Sequence, residues 1–286
     1  MQQILGEKRA KRGLRTVRLF GMAIPVVFRW GDDAVRVDVT MRTGRTTGPQ
    51  RQMNDWTIRY RDSLNELDRY RDLVDAVVAV GGHRRPKVDR DASHGLLEGL
   101  AHSVRCRIPH LAGRNRSHRS RSVDGVLAHL HQTLFDDLGL GRPEAVSLHP
   151  DEMDVELVLG GIPGLPLPCS LIYCAVAERV GLEAFGIDLP GRFFVGVRDE
   201  SRHRLTMIDP FQNGRIVDGA EFRELASEID PGIEPGRFLS PASPGIWLRR
   251  WLQDLKIVCS HSGEVQHLES WNQLTSTTEE MLERRD

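Results

Sequence analysis

Residues 164–182, GLPLPCSLIYCAVAERVGL, put Cys169 where a proline-rich loop turns into an amphipathic helix. Pro168 suits the first helical turn, where a missing N–H costs nothing, and Gly181 is a natural C-terminal stop, so the pattern predicts a helix over about 168–180. Three short runs of strand character follow, EAFGIDL (183–189), FFVGVR (193–198) and RLTMID (204–209), separated by the turns PGR and DESRH. No helix intervenes between these strands. The fold class is therefore α+β, a central helix packed on a small antiparallel sheet, and not a βαβ arrangement.

Helical patterns surround this centre. HGLLEGLAHSVRCRI reads as a short helix, and Ser122 is placed to cap VDGVLAHLHQTLFDDLGL, with its stripe of Val126, Leu127, Leu130, Leu134 and Leu138. DEMDVELVLGG and EFRELASEI read as further helices, and IWLRRWLQDLKIVCSHSG and EVQHLESWNQLTSTTEEMLERRD as a closing pair joined at a glycine. Upstream, 24–41 alternates like a hairpin around Gly-Asp-Asp, 42–55 reads as a polar loop, 63–80 has helical spacing, 81–94 reads as a linker and 113–122 as a basic loop. The pattern divides the chain into a basic, poorly packed extension (1–91), a core (92–231) and a C-terminal helical pair (232–286).

The 286 residues carry a net charge of −1, yet residues 1–122 hold 25 Lys/Arg against 13 Asp/Glu and residues 123–286 hold 14 against 27. A basic half suits nucleic acid, but no helix-turn-helix, RNP-type or zinc-finger pattern accompanies it, and Arg outnumbers Lys 35 to 4, as a GC-rich coding sequence would produce. Nucleic-acid binding through this half is a minor alternative, recognisable by affinity that falls steeply with salt. Four cysteines without a CxxC suggest neither a disulfide scaffold nor structural zinc. The apolar run LFGMAIPVVF is too short to span a bilayer and lacks a cleavage site, so a cytoplasmic, non-membrane protein is expected.

Three segments, VLAHLHQTLFDDLGL, GLPLPCSLIYCAVAERVGLEAFGIDLPGRFFVGV and MIDPFQNGRIV, resemble the transglutaminase-like domain of the SirB family, a branch of the papain-like thiol enzymes. The ending SPASPGIWLRRWLQDLKIVCSHSGEVQHLESWNQL resembles that family's tetratricopeptide-like helix pair, and the resemblance spans about residues 95–275. Aligned on Tyr173, the family's nucleophilic cysteine falls at Pro166, the histidine of its P-G-H-F motif at Arg192 and its usual leucine at Cys169; only the acid, Asp209, matches. The resemblance thus implies a transglutaminase-like core without the usual nucleophile and base.

The residues themselves leave Cys169 open: a small buried side chain, a reactive thiol, or a nucleophile activated by its helix N-terminus and by Arg192. Arg192 cannot serve as base, since a guanidinium stays protonated, and His203 sits in a charged turn. Asp209 either pairs with Arg192 across strands or makes turn hydrogen bonds ahead of Pro210. Cys174 is a core residue on this reading. His129 and His131 point about 200° apart on a helix and cannot share a metal. Trp247 and Trp251, one turn apart, form a docking face or a peptide groove. The functional expectation is a degenerate member that binds a peptide or protein in its cleft, with Arg192, Tyr173 and Asn213 as contact residues and no cofactor or metal. The alternative is a thiol-dependent amide hydrolase or acyl transferase built on Cys169 with a displaced base.

Overall fold

The computed structural model describes residues 12–19, 22–30, 35–37, 50–65, 67, 69–108, 122–229 and 235–284. Strands β1 (Arg12–Leu19), β2 (Met22–Trp30) and β3 (Val35–Val37) form an antiparallel sheet in which Trp30 faces Val35 and Phe28 faces Val37. Of the hairpin expected over 24–41, Phe28–Trp30 and Val35–Val37 are paired, while its turn at 31–34, residues 38–41, and 113–121 of the expected basic loop lie outside the described residues.

Two helices, α1 (Gln50–Asn65) and α2 (Tyr70–Gly82), replace the single helix expected over 63–80 and the end of the polar loop expected over 42–55. The break has a physical cause. Arg69 takes an extended conformation, and the Asp72 carboxylate accepts its backbone N–H at 3.0 Å, so a new helix starts there. Trp56, Tyr60 and Leu64 recur every four residues on α1 and are buried, as are Leu73, Val74, Val77 and Val80 on α2. Trp56, Tyr60, Leu64, Leu67 and the apolar residues from Leu73 to Val80 therefore belong to the main hydrophobic core, where poor packing was expected. The expected linker is helix over half its length, at 81–82 and 90–94: α3 (Arg90–Arg107) is capped by Asp89, whose carboxylate accepts from Asp91 N and Ala92 N.

Helix α4 (Val123–His131) is capped by Ser122, whose hydroxyl accepts from Gly125 N at 3.2 Å, and it continues as a π-helical turn over Gln132–Asp137. A short α5 (Val155–Leu159) precedes α6 (Pro166–Arg179). Helix α6 starts at Pro166 and not at 168, because both prolines fit a first turn that needs no N–H from them. Every residue from Pro166 to Ala177 is buried, with α2, α3 and α5 packed around it. Side chains such as Leu171, Ile172 and Val176 each contribute about 2 kcal/mol on full burial.

The sheet runs β4 (Glu183–Leu189), β5 (Arg192–Asp199), β6 (Arg204–Asp209), β7 (Arg215–Val217), antiparallel throughout. Strand β7 was not expected, because three residues are too few to show alternation. Phe193, Val195, Val197 and Ile208 belong to the core around α6. Ile187, Leu189, Phe194 and Met207 form a second cluster with Phe222 and Ala226 of α7 (Gly219–Ile229). The sheet is thus a middle layer, apolar on both faces.

Helices α8 (Pro244–Ser262) and α9 (Leu268–Glu283) close the described chain and pack on each other. Trp247 and Trp251 are buried, which makes them a docking face against the core. The Trp247 ring lies 4.3 Å from that of Phe193 and occupies the space above Gly186, where a Cβ would collide with it. Tyr60 on α1 and Thr278 on α9 share a buried hydrogen bond of 2.6 Å. No helix among the described residues is long and apolar enough to cross a membrane.

Candidate functional site

The first turn of α6, the turn after β6 and the loop after the π-helical turn meet around Cys169. Its side chain is 0% exposed. The thiol donates to Gly164 O at 3.3 Å, and the Gly141 N–H lies in hydrogen-bonding reach of the sulfur. Burial pushes the Cys169 thiol up to about 12, outweighing the Gly141 N–H, which favours the thiolate; the nearby Asp209 charge raises it further. The helix N-terminus therefore does not activate this cysteine: without water, the thiol form wins. Cys174 is equally buried and also shifted upward by desolvation.

Asp209 is buried at the end of β6. Its carboxylate accepts from Phe211 N at 3.1 Å, Gln212 N at 3.2 Å and Gln212 Nε2 at 3.0 Å. Of the two roles open to it in the sequence, the turn hydrogen bonds are the ones formed. Desolvation raises its pKa, opposed first by the Gln212 N–H and next by the positive charge of Arg192. No ion pair joins the two side chains among the described residues. Arg192 begins β5 opposite Leu189 and is exposed, and Asn213 is exposed with a left-handed φ of 52° at the end of the Asp209 turn. Pro166 is buried at the start of α6, which puts an imide ring where the resemblance puts a nucleophile.

Tyr173, one turn beyond Cys169 on α6, is buried, and its hydroxyl meets His131 Nε2 at 3.0 Å. Desolvation lowers the pKa of His131, so the ring is held neutral. Phe135 stacks with the Tyr173 ring at 6.1 Å and fills the space above Gly214, where a Cβ would collide with it. His131, Phe135, Gly141 and Gly164 were not foreseen as members of this cluster. His131 lies 42 residues from Tyr173, and only the tertiary fold joins them. His129 is also buried, with Nε2 lacking a hydrogen-bond partner, and it takes no part. His203 is exposed in a left-handed turn. No cluster of three or more His, Cys, Asp or Glu side chains suited to a metal occurs among the described residues.

Arg192 and Asn213 are both exposed, the latter at the end of the Asp209 turn, and among the described residues no histidine is hydrogen-bonded to the Cys169 sulfur, whose thiol form burial favours. Comparison with known proteins agrees with the architecture. Residues 92–253 match the family model of the transglutaminase-like superfamily. A UPF0162 protein of Xylella fastidiosa (strain 9a5c) is 27% identical over 141 residues, 48% of this chain and 50% of the relative. A UPF0162 protein of Pseudomonas aeruginosa is 27% identical over 173 residues, 54% of this chain and 62% of the relative. The chain thus spans about half the length of the first relative and less than two thirds of the second. No solved structure gives a significant match. With more than half of its residues inside the family model and an α+β fold to match, the chain belongs to the transglutaminase-like superfamily.

Proposed function

We propose that this chain is a catalytically degenerate transglutaminase-like protein of the SirB type, which binds an extended peptide or protein segment without turning it over. On this reading α8 and α9 are the family's tetratricopeptide-like pair, and Arg192, Tyr173 and Asn213 mark the vestigial cleft. The observation that carries the proposal is the state of Cys169: fully buried, satisfied by backbone groups and shifted up to about 12. Acyl transfer needs a thiolate and a group that protonates the leaving amine. Pro166 and Arg192 supply neither at the family's positions. All four cysteines are free, which supports a reducing, cytoplasmic setting.

Alkylation with iodoacetamide between pH 5 and 10, read by mass spectrometry, tests this directly. Cys169 is expected to stay unmodified until the protein is denatured, as does Cys174. A reaction plateau near pH 6 at Cys169 would sink the proposal and revive the thiol hydrolase or acyl transferase.

A further inference from the structure

The four cysteines fall into two classes. Cys169, Cys174 and Cys259 are buried, whereas Cys106, in the last turn of α3, is exposed. Its sulfur lies 3.3 Å from Nε2 of His102, one helical turn earlier on the same face. His102 is exposed as well, so a reagent in solution reaches both members of the pair. The face beyond them is open: a Cβ added at Gly99 or Gly95 would meet nothing within 4 Å.

The helix and the histidine act on this thiol in opposite ways. Backbone carbonyls at a helix C-terminus oppose a thiolate, so the helix does not activate Cys106. The flanking arginines are engaged elsewhere. Arg105 pairs with Glu98 at 2.5 Å, and Arg107 pairs with Asp137 at 2.5 Å and donates to Thr133 Oγ1 at 3.0 Å. His102 is therefore the group placed to take the thiol proton, as a base within hydrogen-bond reach of a nucleophile. Glu98, one turn before His102, lies close enough to interact with its charge.

We infer that Cys106 is a site of thiol–disulfide exchange, with His102 Nε2 receiving its proton and a low-molecular-weight disulfide as the co-reactant. The S–H proton passes to His102, and the Cys106 sulfur attacks one sulfur of the disulfide. The reagent's S–S bond breaks as the new one forms. Its departing thiolate takes the proton from His102 and leaves as a thiol. Cys106 is thereby oxidised to a mixed disulfide and the departing sulfur is reduced, with no other reactant. The adduct stands on the outer face of α3, and excess small thiol reverses it by the same route. The inference is independent of the function proposed above, which rests on Cys169.

The test is reaction of the full chain with dithiodipyridine, a neutral aromatic disulfide, between pH 5.5 and 9. Release of thiopyridone gives the rate, and peptide mass spectrometry locates the modified sulfur. Cys106 alone is expected to react while the protein is folded. His102→Gln keeps a polar helix former at an exposed position and is expected to slow Cys106 about tenfold at pH 6.5. At pH 9, where ordinary thiols ionise unaided, the two chains should react alike. Cys106→Ser is expected to abolish the reaction and leave the melting temperature unchanged. A rate at pH 6.5 that His102→Gln leaves unaltered overturns the inference, because Cys106 is then an exposed thiol and nothing more. So does a folded chain in which Cys106 stays unmodified. The readout at Cys106 is separate from that at Cys169, so this inference and the proposed function can fail independently.

Discussion

Two arginines sit near the β4–β5 hairpin in opposite circumstances. Arg250 of α8 is almost covered and reaches two carboxylates, Asp188 of β4 at 2.9 Å and Asp254 of its own helix at 3.1 Å. Arg192, at the start of β5, is exposed and has no ion pair with Asp209, which spends its oxygens on the turn that follows. The difference teaches what an arginine is for at each place. A guanidinium removed from water must be neutralised, so the fold surrounds Arg250 with acids and uses it to tie α8 to the sheet. One left exposed at the start of a strand keeps its hydration and needs no counter-charge. Chemical resemblance in the sequence, Arg near Asp in both cases, does not distinguish them; burial does.

The comparison can be broken at several points. Arg250→Met should cost the most, about 3–5 kcal/mol, because it strands the buried Asp254 carboxylate and takes the partner from the half-buried Asp188, whereas Arg192→Ala should stay within about 0.5 kcal/mol. Denaturant unfolding of the two variants side by side decides this, and equal losses would erase the distinction. A second, smaller effect concerns charge that the fold keeps out altogether. His83 is buried with both ring nitrogens unpartnered, and desolvation pushes it down to about 4. The unfolded chain takes up that proton near the ordinary 6.5 while the folded chain does not, so stability is intact above that pH and falls as pH drops toward 4. His131 and His267 are lowered too and act in the same direction. His83→Phe should flatten the decline in melting temperature between pH 6.5 and 4; an unchanged slope would show that His83 is not its source.

Asp209 sharpens the contrast further. If its role is capping, Asp209→Asn keeps an acceptor for Phe211 N and Gln212 N and is nearly neutral, while Asp209→Ala costs about 1–2 kcal/mol. Were Arg192 its true partner, both variants would lose stability alike. Tyr60→Phe is expected to cost about 1 kcal/mol, since it removes a buried hydrogen bond while Thr278 keeps its bond to Leu274 O. Thermal unfolding of that variant measures how firmly α1 is fastened to α9.

Much of the sheet was legible in advance. Glu183–Leu189 and Arg204–Asp209 stand where alternation and turn residues put them, and Arg192–Asp199 differs by one residue at each end. The prolines of GLPLP marked the start of α6 to within one half-turn, and Gly181 marked its end with a φ of 81°. Helix α1 escaped because its first turn, Gln-Arg-Gln-Met, is polar and follows a Gly-Pro, so the periodicity emerges only from Trp56 onward. The site was legible by residue type but not by state. The sequence showed a thiol near a helix N-terminus; nothing local announced that Gly141 and Gly164, from loops on either side, would cover it. Close backbone approach leaves no mark except a glycine, and glycines are common.

The hydrogen bond between Tyr60 and Thr278 has a consequence for how the protein is made. The partners are 218 residues apart. At the usual pace of translation, roughly 5–20 residues per second, the ribosome needs about 10–40 s to deliver α9 after α1 has been synthesised. Throughout that interval part of the apolar face of α1, bearing Trp56, Tyr60 and Leu64, lacks the helix that finally covers it. The growing chain thus leaves part of that face uncovered until α9 arrives, which makes loss of α9 costlier than the area of one helix suggests.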